Sequence, residues 1–385
     1  MRVLYVAPRY HTNQIPVVKG WLDEGHQVMF VSQFQSTPED YTVLRPVILG
    51  YQKLSDWLIH TGSKIVLGRK HTKEREYAWK IKAGLPPVRE MKRLLETFSP
   101  ELVIVRERSL YNVPFADYCR RRKIPCILYN QSPVWDRADR DKGLGHRLLI
   151  SMLPKYRMTP VLGQKSGDTV RMKDTFYIPF VISPRLAPSD KPAAGNTLQL
   201  LCVARYEKRK NLFMLVEAVK ELLGAHDFHL TIIGEATDAS QRAYLSRLEQ
   251  TIREYGMTEQ ISLEQNYTME EMYQAYAGAD LFVLPSTRER ASISQLEAMS
   301  CSVPVLCSDT NGTACYVSQE SNGCCFRDND KADLLAKLRW MISDRKRLRR
   351  MGEQAYQDVM DRYQFAGYYQ GIMEIVDRER QEKRT

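Results

Sequence analysis

The 385-residue chain has no CxxC pair and no zinc-like Cys/His spacing, so its eight scattered cysteines carry neither a metal-site nor a disulfide-framework signature. Cys202, Cys301 and Cys307 fall in or beside apolar segments and read as reduced structural thiols. The adjacent Cys324 and Cys325 suggest no role. No uninterrupted apolar run approaches the length of a membrane span, and no early segment joins a basic start to an apolar stretch of signal-peptide length. The expectation is a cytoplasmic protein whose contact with a membrane, at the inner face of the cell membrane, is at most peripheral. Short-period repeats are absent too.

Charge is plentiful but unevenly placed. Residues 1–190 hold 31 Lys and Arg against 18 Asp and Glu, a net +13, while the remainder holds 25 against 28, a net −3, within an overall +10. A lobe this basic suits an anionic partner, either an acidic membrane surface or nucleic acid, and its clusters suit solvated helix faces equally. Those clusters are Arg69 to Lys73, Arg89 to Arg93 and Arg120 to Lys123. The stretch Trp135 to Arg157 mixes Trp, Leu, Ile and Met with Arg and Lys, as an interfacial membrane element or a domain-packing helix would.

A length of 385 residues suits two domains. Apolar runs at Arg2 to Ala7, Gln27 to Val31, Leu102 to Val105 and Pro125 to Tyr129 read as strands, with helices over Gln14 to Glu24 and Pro114 to Arg122. Leu54 to Phe98 has helical patterning divided at Gly84 to Pro87, and Met158 to Leu162 and Tyr177 to Pro179 read as the last strands. This alternation predicts a doubly wound parallel sheet over 1–184. After a linker rich in Pro, Ala and Ser, the pattern restarts. Strands at Leu198 to Ala204, Leu230 to Gly234, Ile261 to Leu263, Ala279 to Leu284 and Pro304 to Cys307 alternate with helices at Leu212 to Leu223, Ala243 to Tyr255, Met269 to Ala277 and around Leu296 to Met299. Helices over Lys331 to Met341 and Arg345 to Arg362 close a second α/β lobe over 185–364.

Glu289 and Glu297, with seven residues between them, bracket the step from a buried strand to a helix. Carboxylates at a sheet's carboxyl edge, beside the positive end of a helix, are placed to accept hydrogen bonds from sugar hydroxyls while the helix end receives phosphate. The spacing alone is also that of solvated helix charges. Upstream, Arg205 and Lys210 follow another buried strand at the same edge, and a guanidinium and an ammonium there can neutralise a diphosphate leaving group without a metal. Lys208 and Arg209 read as surface charges. Gly234 allows a tight backbone turn where a nucleotide would approach.

With Glu289, Glu297 and the Glu-Ala-Met that follows, Arg205 and Lys210, and Ser321-Asn322-Gly323 downstream, the chain resembles the retaining nucleotide-sugar glycosyltransferases of family 4. The resemblance is strongest from about Leu198 to Tyr369. It implies the GT-B architecture, two Rossmann-like doubly wound lobes facing across a cleft, with a tail from about Phe365, residues 365–385, returning to the N-terminal lobe. It also implies a nucleotide diphospho-sugar as co-substrate, no cofactor or metal, and transfer with retention to an acceptor hydroxyl held by the N-terminal lobe. The glycan formed would be a cell-surface polysaccharide or a lipid-linked sugar.

On this likeness Glu297 takes the ribose, Glu289 the sugar ring or its transition state, and Arg205 and Lys210 the diphosphate, while the loop Arg290 to Ile293, with Ser292, offers amide N–H groups to the donor. Three positions depart from the family. Arg290-Ala291-Ser292 stands where Gly-Phe-Gly is usual, His11-Thr12-Asn13-Gln14 replaces paired glycines, and Asn130-Gln131-Ser132 replaces a histidine. Asn130 can hydrogen-bond a sugar hydroxyl but carries no proton near neutral pH, and His11 is a further candidate contact. The alternatives are a sugar-nucleotide epimerase of the same form and a non-catalytic relative that binds nucleic acid through its basic half.

Overall fold

Val3, Leu4 and Val6 are almost wholly shielded from solvent on both faces of one strand, an arrangement that requires helices on both sides of a parallel sheet. A computed structural model of the chain describes residues 1–34, 41–68, 71–137, 143–192 and 195–382, with the backbone alone at Lys73 and Glu74. It divides into two units, Met1–Val181 with Phe365–Thr385, and Ile182–Gln364.

The first unit opens with β1 (Arg2–Ala7), α1 (Ile15–Asp23), β2 (Gln27–Ser32) and the short β3 (Val47–Ile48). Three helices follow, α2 (Lys53–Leu67), α3 (Lys73–Ala83) and α4 (Val88–Phe98). The chain continues through β4 (Leu102–Arg106), α5 (Val113–Arg122), β5 (Cys126–Tyr129), β6 (Trp135–Arg137), α6 (Leu144–Met152), β7 (Arg157–Thr159), β8 (Thr169–Arg171) and β9 (Thr175–Tyr177). Seven strands pair in the order β3-β2-β1-β4-β5-β7-β9, every pair parallel, so the sheet is wound outward from β1 in both directions.

The second unit repeats the plan. β10 (Leu198–Val203), α7 (Leu212–Lys220), β11 (Phe228–Gly234), α8 (Ala239–Glu254), β12 (Ile261–Gln265) and α9 (Met269–Gly278) form its first half. β13 (Leu281–Leu284), α10 (Ile293–Ser300), β14 (Val305–Ser308), β15 (Gly323–Phe326), α11 (Lys331–Ile342) and α12 (Arg345–Arg362) form the second. Its six strands run β12-β11-β10-β13-β14-β15, again all parallel. The order reverses between β10 and β13, and their carboxyl ends lead to Arg205 and Glu289; a crevice at such a reversal is where ligands of open α/β sheets bind.

The last helix, α13 (Phe365–Glu382), belongs to the first unit. Tyr368, Ile372, Ile375 and Val376 are buried with Val3, Tyr5 and Trp21. Trp21 Nε1 donates to Tyr5 Oη at 2.7 Å, and Tyr5 Oη lies 3.0 Å from Tyr368 Oη. Gly20 lets α1 approach closely, because a Cβ there would fall 2.2 Å from the Phe365 ring.

Several details differ from the sequence expectation. The helical stretch 54–98 breaks twice, not once; the additional stop is Gly68, whose φ of +47° ends α2. The strand expected over Met158 to Leu162 stops at Thr159 because Pro160 has no N–H to extend the ladder. Gly323, singled out in the sequence only for the family resemblance, begins the edge strand β15, where a Cβ would meet the Val305 carbonyl at 2.3 Å. Trp135 to Arg157 is not one element but β6, paired antiparallel with β8, followed by α6 and the start of β7, with 138–142 outside the described residues. Arg69 and Lys70 of the first basic cluster also lie outside them. Among the described residues, no helix is long and apolar enough to cross a membrane.

Candidate active site

The loop after β10 is anchored by Tyr206, a fully buried ring whose hydroxyl donates to the carbonyls of Ile232 at 3.0 Å and Glu264 at 2.8 Å. Arg205, just before the anchor, is left exposed, and its guanidinium makes no hydrogen bond or ion pair among the described residues. Just after it, a 3-10 turn over Lys208–Lys210 drives Lys210 inward until it is 9% exposed. An ammonium is buried this far only where a counter-charge meets it.

Glu289 provides that charge. Its carboxylate accepts from Lys210 Nζ and, at 2.6 Å, from Arg209 Nη1, while Arg209 Nη2 donates to Glu207 at 2.8 Å. Burial pushes the Glu289 carboxyl up, and the Lys210 and Arg209 charges more than offset it, leaving it below the usual carboxylate range. The two loops are also stitched through the backbone, with Thr287 N donating to Arg209 O at 2.9 Å.

Behind Glu289 a buried amide–hydroxyl network fixes the loop leading into α10. Asn311 Nδ2 and Thr313 Oγ1 both donate to Gln295 Oε1 at 2.9 Å, Gln295 Nε2 donates to Thr313 O at 3.0 Å, and Gly312 N donates to Glu289 O at 2.8 Å. Every member is satisfied, so the network holds the loop rigidly although it lacks the usual glycines. Ser292 is the N-cap of α10, yet its side chain makes no capping bond; Ser292 Oγ lies 2.8 Å from Ser294 Oγ instead. The first-turn N–H groups of α10 are therefore not spent on the cap.

These pieces surround one pocket of about 380 Å³. Arg205, Lys210, Gly234, Glu289, Ser292 and Ile293 line it, joined by Glu235, Asn266 and Tyr267. Gly234 is its floor, since a Cβ there would fall 2.2 Å from the Ala204 carbonyl. Arg290 is exposed and outside the lining. Glu297 is outside it as well: its carboxylate accepts from Tyr276 Oη at 2.9 Å and lies 3.5 Å from Arg185 Nη2. A guanidinium, a neutralised ammonium–carboxylate pair and an uncapped helix end around one cavity suit a ligand that carries both phosphate and hydroxyl groups.

The sequence pattern of the family described as "Glycosyl transferases group 1" matches residues 187–358, the stretch that holds all of this pocket. Residues 187–358 are thus the part of the chain that is similar to the group 1 glycosyl transferases. The chain is 31% identical over 182 residues to the D-inositol 3-phosphate glycosyltransferase of Nocardia farcinica, an alignment covering 44% of this chain and 40% of that protein. A second relative, the GDP-mannose-dependent alpha-(1-6)-phosphatidylinositol monomannoside mannosyltransferase of Mycolicibacterium smegmatis, is 26% identical over 49% of this chain and 52% of its own length. The chain thus spans about half, or less, of the length of these curated relatives. Among solved structures, Anabaena Alr3699/HepE in complex with UDP superposes with a TM-score of 0.71 at 14% identity, covering 98% of this chain and 100% of that one. The fold is GT-B, with two Rossmann-like α/β units.

Outside the group 1 segment, the two first-unit candidates have different surroundings. His11 Nε2 accepts from Arg9 Nε at 2.9 Å. Burial first, then the charges of Arg106 and Arg9, hold its imidazole down to about 3, so it is neutral at pH 7. Asn130 is buried; its Oδ1 accepts from Ser132 N at 2.9 Å, while its Nδ2 has no partner among the described residues. Sequence reasoning set Arg209 aside as surface charge and had no signal for the Gln295–Asn311–Thr313 network, whose members have no regular spacing.

Proposed function

We propose that this protein is a retaining glycosyltransferase that moves a sugar from a nucleotide diphospho-sugar to an acceptor hydroxyl, in the assembly of a cell-surface polysaccharide or lipid-linked glycan. The observation that carries the reading is the convergence of unpaired Arg205 with the Lys210–Glu289 pair at the uncapped end of α10. A donor diphosphate would meet Arg205 directly and would share Lys210 with Glu289. As the bond from the anomeric carbon to the diphosphate oxygen breaks, the acceptor oxygen bonds to the same face of that carbon. The departing phosphate oxygen takes the acceptor's proton. Charge growing on that oxygen is met by Arg205 and by Lys210, the latter already fixed by Glu289 before the reaction.

Glu289 holds Lys210 and lies close enough to the donor pocket to contact the sugar ring. Glu297 takes the ribose hydroxyls through the carboxylate lone pairs that Tyr276 and Arg185 leave open. Glu297→Ala should weaken donor binding by about tenfold or more, the worth of a hydrogen bond to a charged group. Wild-type affinity in that variant, by calorimetry, would remove the ribose assignment. Asn130, with its spare buried N–H, is the first-unit group best suited to an acceptor hydroxyl. Neither it nor neutral His11 exchanges a proton near neutral pH, which is the chemistry an epimerase would ask of this unit.

The test is nucleotide release from a panel of UDP-, GDP- and ADP-sugars with candidate acceptors. The UDP-sugars come first because Alr3699/HepE holds UDP. Release that requires an acceptor supports transfer, release without one points to an epimerase, and salt-sensitive RNA or DNA binding with no release points to a binding protein. Because two cations stand ready for the diphosphate, a chelator is expected to leave turnover unchanged. Loss of turnover in EDTA, restored by Mg²⁺, would overturn the metal-independent reading.

A further inference from the structure

Helix α2 is inside out. Its buried residues are Ser55 and Ser63, whereas Leu54, Trp57, Leu58 and Ile65 are 62%, 61%, 54% and 76% exposed. At 3.6 residues per turn those four side chains lie within one face of the helix, Thr61 between them; Val66, 68% exposed, lies outside that face near the end of the helix. The inward serines have local partners: Leu85 N donates to Ser55 Oγ at 3.0 Å, and Ser63 Oγ donates to His60 O at 3.0 Å. Scattered exposed apolar residues are ordinary, but α2 holds five of the sixteen large ones found among the described residues.

Charge around this face has one sign. Lys53 and Lys64 flank it on α2, and Arg75 and Lys82 are exposed on the adjoining α3. The carboxylates of the pair whose side chains are described, Asp56 and Glu76, are both engaged. Asp56 binds Lys80 at 2.7 Å, and Glu76 binds His60, His71 and Lys80 at 3.0 to 3.1 Å. A large apolar side chain row bordered by lysines matches a bilayer interface, where side chains enter the acyl boundary and ammonium groups meet anionic headgroups. The same cations would repel one another across a contact with a second copy.

We propose that the outward face of α2, bounded by Trp57 and Leu58, docks this protein onto an anionic phospholipid bilayer. This goes beyond the transfer reading, and it moves the membrane contact from Trp135 to Arg157, which the sequence singled out, to a helix where it showed only periodicity. The docking needs no donor and no turnover, so it stands or falls separately from the chemistry.

Flotation of the full chain with vesicles tests it. The wild type is expected to float with phosphatidylcholine–phosphatidylglycerol vesicles and to remain unbound with phosphatidylcholine alone. Leu58→Asp/Ile65→Asp should reduce the bound fraction about tenfold or more, given the burial energy of two large apolar side chains. Both positions are exposed, so circular dichroism and nucleotide release in solution should match the wild type. Trp57→Phe should remove the quenching of tryptophan emission by brominated lipid. Leu144→Asp/Leu148→Asp, on the exposed side of α6, should float normally. No flotation of the wild type, equal flotation on uncharged vesicles, unchanged flotation of the α2 variant, or loss confined to the α6 variant would each overturn the proposal. So would a concentration-dependent dimer in sedimentation that the α2 variant abolishes, because it would assign the face to a second copy.

Discussion

Lys210→Ala is expected to lower kcat by about 10²- to 10³-fold, the usual consequence of removing one preorganised donor from a developing oxyanion. Lys210 is the buried one of the two pocket cations and is fixed by Glu289 before any ligand arrives, so its removal costs the site a group that needs no reorganisation. It also leaves the Glu289 charge beside the diphosphate, held by Arg209 alone. Adding Glu289→Gln to that variant should therefore recover part of the donor affinity without restoring turnover. Arg205→Ala should also slow turnover, but with more of its effect on KM, because exposed Arg205 is held in place by no partner among the described residues. Steady-state kinetics on the most active donor separate these outcomes. A Lys210→Ala enzyme with wild-type kcat would remove Lys210 from the leaving-group site.

Gly234→Ala is expected to destabilise the second unit by about 1–3 kcal/mol, the range for forcing one extra methyl into a packed position, and to abolish measurable donor binding. The added carbon would lie 2.2 Å from the Ala204 carbonyl, a backbone atom with no freedom to swing away, so β10 or β11 has to shift. Either shift moves the pocket floor against Arg205. Gly278→Ala is the matched control, because a Cβ at the end of α9 meets nothing within 4 Å. Thermal unfolding and donor calorimetry on the two variants should diverge. A Gly234→Ala protein with wild-type melting and affinity would show that the strand ends yield more easily than their packing suggests.

Much of this architecture was legible as a sequence. Alternating apolar strands and helices at short spacing admit few arrangements other than parallel sheets, and the longer strands lie where their apolar runs put them. The short edges were not legible: β3 and the β6–β8 pair are two or three residues long, too few for a period-2 pattern to stand out. In the site, spacing brought Arg205, Lys210 and Glu289 to one sheet edge, but four basic residues in six positions gave no means of ranking Arg209 against Lys208. The 3-10 turn decides it, sending Arg209 to Glu289 and leaving Lys208 exposed. Glu297 shows a different limit, since its spacing cannot reveal that Tyr276 and Arg185 already hold its carboxylate. For α2 the periodicity was visible and its direction was not, because a pattern of apolar residues says which side chains share a face and not whether that face looks inward.

The second unit is one continuous stretch, 182–364, whereas the first is completed only by α13. A ribosome therefore finishes the second unit before it has released the residues that cover Trp21 and Tyr5, reversing the common order in which amino-terminal domains mature first. Until then the nascent amino-terminal half carries an open apolar slot, attractive to chaperones and to other half-made chains. Stop codons or tags introduced near residue 365 should consequently damage the part of the protein synthesised earliest.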